Sequence, residues 1–412
     1  SVIFHPGWMV ARYTDSFYSV RNIYILNALM GAFEVPGGLF FQKTPGDAGR
    51  KGLKNLLGTI PKPEEKRVDG CGWKHKHFDA GPGLLHLMYE AILDQKPYPL
   101  KAYIAFRHDP LLSLPDPEAQ KKAMDKLDLV VAIDANYSET GWYADVLLPS
   151  ATYLEKSSPL VTGKGLKPQF KIRRQAVEPI SDAKPCWWIF KSLAERLGVG
   201  EYFKFNTMEE FWEWQLSDTG LTIADLEKKG FVGLADKPIW FDRMEGLKFK
   251  TPSGKIELVS SRLAESGIES FKAYESPAKP EPGSYRLAFG RSPVHTHGRT
   301  QNNPVLSEIM PENQLWLNAD EAAKMGVANG DVVKVTSTDG SHSGEIKAYV
   351  TEFIHPESVF MVHGFGRKVP WQTRGYNKGL GDYRFETGLL HAYDPVGGAN
   401  SLMECFVKVE KA

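Results

Sequence analysis

The chain has 412 residues, 42% hydrophobic and 24% charged, which is long enough for two or three domains with a substantial buried core. Its 50 Lys and Arg balance 50 Asp and Glu, so no bulk field draws it to nucleic acid or to an anionic membrane. No apolar run reaches the roughly 18–20 residues that cross a bilayer, so no direct membrane span is expected and any membrane association comes through a partner.

The 3 cysteines, Cys71, Cys186 and Cys405, lie far apart without a CxxC pair. That excludes an internally ligated four-cysteine iron–sulfur or zinc site and argues against a disulfide framework. The first residues, Ser1-Val-Ile-Phe4, lack an initiator and show no basic segment followed by an apolar stretch. They read as a buried strand running into the turn His5-Pro-Gly7, as in a chain whose beginning is missing.

In chain order, apolar residues Val20, Ile23, Leu26 and Leu29 fall at helical spacing between Val10 and Met30, with Gly31 near the end. Residues 43–83 are rich in Gly, Pro and Lys and read as an extended surface excursion. Leu84 to Asp94 predicts a short amphipathic helix. Ala102–Phe106 predicts a strand, and Asp116 with Pro117 supplies the cap and first turn of a helix to Asp125. Leu129–Ile133 is wholly apolar and mostly β-branched, the pattern of a central parallel strand, and Ala144–Leu148 gives another. Such a βαβ arrangement binds ligands beyond the C-terminal strand ends, where Asp134 stands. Helical patterns return at Trp187–Leu197 and Met208–Gln215. Residues 273–284 form a Pro-rich linker and the clearest boundary, dividing the chain into 1–272, 273–284 and 285–412. Beyond it, strands are predicted at Arg286–Phe289, Gln314–Leu317, Asp331–Ser337, Gly344–Val350, Ser358–Val362 and Cys405–Val409. One helix, capped by Asn318 and stopped by Gly326, lies among them, and the whole suggests a barrel.

Four segments carry a resemblance. Ala144-Asp-Val-Leu-Leu-Pro-Ser-Ala-Thr-Tyr-Leu-Glu155, preceded by Asp134 and Ser138-Glu-Thr140, is similar to the central-domain signature of the dimethyl-sulfoxide-reductase superfamily of molybdopterin oxidoreductases. Thr251-Pro-Ser-Gly-Lys-Ile-Glu257 resembles the segment before its last domain. Leu317 to Asp331 resembles the entry into its dinucleotide-binding barrel, and Gly397-Gly-Ala-Asn400 its pterin-contacting turn. Within the superfamily, His5-Pro-Gly-Trp8, Ala11-Arg-Tyr13, Asn27-Ala-Leu-Met-Gly31 and His295-Thr-His-Gly-Arg-Thr-Gln-Asn-Asn-Pro304 look most like the polysulfide and thiosulfate reductase branch.

The resemblance implies an α/β fold. A parallel-sheet dinucleotide-binding domain would precede a C-terminal β-barrel of double-psi type. It implies two molybdopterin guanine dinucleotides with molybdenum or tungsten, and two-electron reduction of polysulfide or thiosulfate. The cysteine-rich segment that holds a 4Fe-4S cluster in the family, and the residue that ligates the metal, would belong to an N-terminal half not present in this sequence. The implied partners are that half, an iron–sulfur electron-transfer subunit and, through the complex, a membrane quinone-handling subunit. The implied location is the periplasmic side of the cytoplasmic membrane. Two other readings share the pattern: an arsenate or tetrathionate reductase, and a metal-free relic serving as a scaffold or electron-relay subunit.

The resemblance also assigns candidate residues. Asp134 would accept the guanine N–H groups with one planar carboxylate, against the plain alternative of a strand-end aspartate. Glu139, Thr140 and Asp145 belong to the same signature. His295, Thr296, His297, Gly298, Arg299, Thr300, Gln301 and Asn302 form a donor-dense loop suited to a polar, anionic pterin with a pyrophosphate tail, the alternative being a polar surface turn. His295 and His297 alternate along the chain, so they do not make a metal site. Asn400 would pair with a pterin edge through one donor and one acceptor, or simply occupy a left-handed turn. His363 and Arg367 would line the approach to the metal, where an arginine attracts an anionic sulfur substrate. His5, Trp8 and Arg12 are the candidates of the first segment. Cys71, His75 and His77 read as unrelated surface residues, and Cys186 and Cys405 as small core residues.

Overall fold

The computed structural model describes the chain except residues 1, 8, 77, 79, 80, 82 and 242–248, and except the side chain of Met9. Trp8 and His77, named above, lie outside the described residues. The strands are β1 (Ala102–Phe106), β2 (Leu129–Asp134), β3 (Val146–Pro149), β4 (Ser158–Gly163), β5 (Gln169–Arg173) and β6 (Phe231–Gly233). They are followed by β7 (Tyr285–Gly290), β8 (Leu315–Asn318), β9 (Val332–Ser337), β10 (Ser343–Thr351), β11 (Ser358–Val362) and β12 (Phe406–Lys411). The chain forms two compact units: residues 1–5, 22–65 and 149–261, and residues 6–21, 66–148 and 262–412. The stretch 273–284 carries no helix or strand and runs within the second unit.

The second unit holds two of the three sheets. In the first, ordered β1-β2-β3, β1 and β2 run parallel with Ala102 opposite Leu129 and Phe106 opposite Ile133. β2 is central because Val130, Val131, Ala132 and Ile133 are all buried, so its unbroken apolar run has protein on both faces. The helix Pro117–Met124 begins where the sequence predicts, with the Asp116 carboxylate accepting from the Ala119 N–H at 3.1 Å. Tyr89, Ile92, Leu111, Met124, Val130 and Leu390 pack as one core around this sheet. Each such side chain removed from water contributes about 1.5–3 kcal/mol.

The last third of the chain closes into a six-stranded barrel in the order β10-β8-β11-β7-β12-β9. Pairs β10/β8 and β11/β7 are parallel and the rest antiparallel. Its interior is the set of alternate residues that the period-2 pattern marks: Leu315 and Leu317, Val333 and Val335, Ile346 and Ala348, Val359 and Met361, with Leu287 and Val407. Closure leaves no unpaired edge, which suits short strands. The helix Ala319–Met325 is capped by Asn318, whose Oδ1 accepts from the Asp320 N–H at 3.0 Å, and ends at Gly326.

The first unit contains an antiparallel sheet β4-β5-β6 that the sequence did not announce. Its strands are short, and two of them bury one large side chain apiece, Leu160 in β4 and Phe170 in β5. These pack with Trp212, Phe211, Leu216 and Leu226 of the helices Met208–Leu216 and Ile223–Glu227. Trp212 anchors the packing by donating its indole N–H to the Ser158 carbonyl at 2.8 Å.

Three local expectations need correction. Residues 2–6 form no strand, although the apolar start of the sequence suggests one. The 43–83 segment is not a free surface excursion, since Lys43 is wholly buried against Glu34 at 2.8 Å in the first unit. Cys71 is also no surface residue: it packs with Phe78 and Leu87 in the second unit. Composition rich in Gly, Pro and Lys signals irregular backbone, but irregular backbone can still be covered.

Candidate functional site

All the site residues expected from sequence fall in the second unit except His5, an exposed member of the first. Asp134 closes β2 and is half-buried. Burial, joined by the charge of Asp109, holds its carboxyl above the usual range, against the Ala135 N–H that donates to it at 2.7 Å and a bond from Ser138. Ser138 caps the short helix Glu139–Tyr143 by accepting from the Gly141 N–H at 3.0 Å.

Asp109, which sequence reasoning passed over, is the hub of this region. It follows β1 and accepts from the Thr140 N–H at 2.9 Å, the Thr140 hydroxyl at 2.8 Å and the Glu139 N–H at 3.3 Å. A carboxylate is thereby set on the N-terminus of the neighbouring helix, where backbone donors and dipole both favour it. Its other neighbour is Arg367, 3.8 Å away. Asp-Pro directly after a predicted strand was the available signal, because it marks a strand-end turn into a helix.

Glu139 faces the same loop. Its carboxylate accepts from the Lys368 N–H at 2.8 Å, and burial raises its carboxyl. Thr140 is fully buried, and Asp145 accepts from the Val130 N–H at 2.7 Å. These three signature residues are engaged within the protein and set the shape of the strand ends.

The 295–303 loop divides in the same way. His295 is buried with Nδ1 at 3.1 Å from the Thr300 hydroxyl and Nε2 at 2.8 Å from the Met310 carbonyl, so both ring nitrogens pin the loop. Thr300 also accepts from the Thr296 N–H at 2.9 Å. Gln301 donates to the His297 carbonyl at 2.5 Å, and Asn302 accepts from the Arg374 N–H at 2.9 Å. The side chains of Thr296, His297 and Arg299 remain exposed. Gly298 is buried where a side chain would collide with Leu112 and approach the Arg367 guanidinium. Its backbone therefore comes closer to its neighbours than any other residue allows.

The loop after β11 supplies the charged groups. His363 Nδ1 lies 2.6 Å from Asp382, which is fully buried. Burial pulls the imidazole down, but the charge and hydrogen bond of Asp382 outweigh it and raise the ring above its ordinary value. The rings of His363 and His297 are 6.1 Å apart, edge to face. His297 is itself lowered, by burial and by the positive neighbours His363, Arg291, Arg299 and Arg12. Arg12 is half-buried and lowered by that burial, which Glu386 opposes. Arg367 is buried, and its Nε and Nη1 have no hydrogen-bond partner.

Asn400 donates its amide N–H groups to the carbonyls of Leu389 at 2.7 Å and Ala392 at 3.0 Å. Its Oδ1 is buried without a partner. Of the donor–acceptor pair expected from sequence, only the acceptor is left open. Nearby His86 was not anticipated: it is buried, its Nε2 has no partner, and burial lowers it to about 4. A histidine inside an otherwise apolar helix face gave no signal.

These orphaned groups bear on what the site can hold. Buried polar atoms are nearly always hydrogen-bonded, yet Arg367 has only the long ion pair with Asp109 at 3.8 Å and no hydrogen bond at Nε or Nη1. Arg367, with the cationic surroundings of His297, fits an anionic body. The Asn400 oxygen and the Asp134 carboxylate fit ligand N–H donors. A phosphate-bearing heterocycle supplies both kinds of partner. Among the described residues no group of three His, Cys, Asp or Glu is placed to hold a metal ion.

Comparison with known proteins agrees with that fit. The family profile described as Molybdopterin oxidoreductase matches residues 1–196, and the one described as Molydopterin dinucleotide binding domain matches 285–406. The chain is 33% identical to the thiosulfate reductase molybdopterin-containing subunit of Salmonella typhimurium, over 96% of this chain and 56% of that protein. It is 30% identical to the F420-dependent formate dehydrogenase subunit alpha of Methanocaldococcus jannaschii, over 66% of this chain and 40% of that one. Among solved structures, acetylene hydratase from Pelobacter acetylenicus shares the fold with a TM-score of 0.66 at 22% identity, covering 83% of this chain and 48% of that chain. The chain thus spans about half the length of the relatives it matches. Matched profiles at both ends, in the order of the strand-end site and the barrel, make the chain a member of the molybdopterin oxidoreductase family.

Proposed function

We propose that this chain is the C-terminal half of a reductase that cleaves the sulfur–sulfur bond of thiosulfate or polysulfide on a bis(molybdopterin guanine dinucleotide) centre of molybdenum or tungsten. The single observation that carries the substrate reading is the 33% identity to a thiosulfate reductase subunit across 96% of the chain. Formate dehydrogenase and nitrate reductase relatives align over smaller shares, 66% and 58%. When bound, the cofactor and its metal supply the two-electron chemistry. The residues of this chain bind and orient. Asp134 holds the guanine edge, Asn400 Oδ1 accepts from the pterin, and the Gly298 backbone with Arg367 meets the anionic tail. His297, Arg299 and Arg12 draw an anionic substrate toward the site.

The reading places two dinucleotides in the complete enzyme and a 4Fe-4S cluster in its N-terminal part. An iron–sulfur subunit and a membrane quinone-handling subunit complete the complex on the periplasmic side. The proposal gives the membrane contact to that partner; no helix among the described residues of this chain is long and apolar enough to cross a membrane. The proposed domain limits are 1–272 and 285–412 about the linker.

The test is an anaerobic assay of the purified native enzyme with a reduced viologen dye and a panel of acceptors. Thiosulfate or polysulfide should be turned over at least tenfold faster than nitrate, arsenate or tetrathionate. A preference for any of the last three overturns the substrate assignment.

A further inference from the structure

The second unit buries two acids close together in sequence. Asp382 is fully buried and Glu386, one helical turn later in the chain, is 2% exposed. Asp382 Oδ2 holds His363 Nδ1 at 2.6 Å, while its Oδ1 is buried without a partner. Burial, and after it the charge of Asp382, raises the Glu386 carboxyl well above its ordinary value, with Arg12 opposing. The same acids and burial raise the Cys405 thiol, which donates to the Phe385 carbonyl at 3.3 Å.

His363 is the member of this cluster that reaches outward. Its side chain is 15% exposed against 0% for Asp382, and its ring meets the exposed His297 edge to face at 6.1 Å. The groups that face it are Asp382 from the 382–384 turn, His297 from the 295–303 loop, Arg12 from the first segment and Arg367 from its own loop, with the Phe289 ring of β7 at 5.7 Å. An aspartate on one ring nitrogen fixes the tautomer and leaves Nε2 to carry a transferable proton.

We propose that His363 is the proton carrier of this enzyme, reloaded from solvent through His297, and that buried Asp382 holds its ring in place. This rests on the reductase reading above. Reductive cleavage there follows S–SO₃²⁻ + 2e⁻ + H⁺ → HS⁻ + SO₃²⁻ for thiosulfate, or Sₙ²⁻ + 2e⁻ + H⁺ → HS⁻ + Sₙ₋₁²⁻ for polysulfide. The S–S bond breaks, one S–H bond forms on the departing sulfide, the other fragment leaves as the anion, and the iron–sulfur partner supplies both electrons. His363 delivers the proton and is reprotonated before the next turnover.

The experiment uses the native enzyme and its His363→Gln and Asp382→Asn variants. Acylation of His363 by diethylpyrocarbonate, followed by peptide mass spectrometry across pH, reads the protonation of its ring without any substrate. The midpoint in the wild type should lie above the ordinary histidine value of about 6.5, and Asp382→Asn should lower it by about one unit. Turnover of His363→Gln should fall about a hundredfold, with part restored by added imidazole and with metal content unchanged. A wild-type midpoint at or below the ordinary value overturns the proposal whatever the variants do. So does wild-type turnover in a metal-loaded His363→Gln enzyme. A raised midpoint in an enzyme that reduces no sulfur compound supports the histidine–aspartate pair and overturns only the substrate reading.

Discussion

Gly364 joins the two loops on which the candidate site depends, and replacing it with alanine measures how tightly they are bound together. Its φ is +95°, and a Cβ there would sit 2.5 Å from the His297 carbonyl oxygen and 2.7 Å from the Gly298 nitrogen. Both obstacles are backbone, so no side-chain rotation relieves them. A positive φ costs an L-residue about 1–2 kcal/mol, and forcing a methyl into packed surroundings adds about 1–3 kcal/mol. Gly364→Ala should therefore destabilise by about 2–5 kcal/mol. Gly340 is the control, since its φ is +73° but a Cβ there meets nothing within 4 Å, leaving only the backbone cost of about 1–2 kcal/mol. Urea unfolding followed by tryptophan fluorescence gives both values. Equal losses for the two variants, within about 0.5 kcal/mol, would show that the loops do not touch at this point and refute the reasoning.

Three further outcomes follow from the same structure. Lys43→Met leaves Glu34 buried with only the N–H groups of Phe41 and Phe241, so it should cost about 3–5 kcal/mol by denaturant titration, and adding Glu34→Gln should recover part. His363 is raised when folded, so its contribution to stability is complete below about pH 6.5 and is lost as pH rises through the folded value. The stability gap between wild type and Asp382→Asn should thus narrow as pH rises above about 6.5, and a gap that widens contradicts the assigned direction. Asp134→Ala removes a charged acceptor worth about 1.5–3 kcal/mol, and chromatography of released nucleotides should show at least a tenfold fall in guanine retained per protein under dialysis.

Much of the fold was legible because the relevant residues obey one strong local rule. The barrel strands alternate, as in Val333, Val335 and then Ile346, Ala348, and the central strand Leu129–Asp134 is uniformly apolar. Asn318 and Gly326 delimit a helix from both ends. The sheet β4-β5-β6 was not legible, because strands such as Gln169–Arg173 bury a single residue deeply and owe their form to Trp212 and Leu226 far along the chain. At the site, the sequence located the polar segments but not the division of labour within them. His295, Glu139 and Asp145 look like ligand contacts by type, yet their partners are Met310, Lys368 and Val130. His86 and Glu386 gave no sequence signal, since what distinguishes them is burial and neighbours from distant segments, and for Asp109 the Asp-Pro turn marked a strand end but not its bonds to Glu139 and Thr140.

The central claim, that this family member works as half of a cofactor-loaded reductase, is tested most directly by elemental mass spectrometry of the purified native enzyme, with guanine nucleotide released by acid hydrolysis measured in the same sample. The account predicts about one molybdenum or tungsten per copy and about two guanines per metal, in line with a family whose chemistry resides in the cofactor. An intact enzyme carrying neither metal nor guanine would contradict it and leave a scaffold subunit.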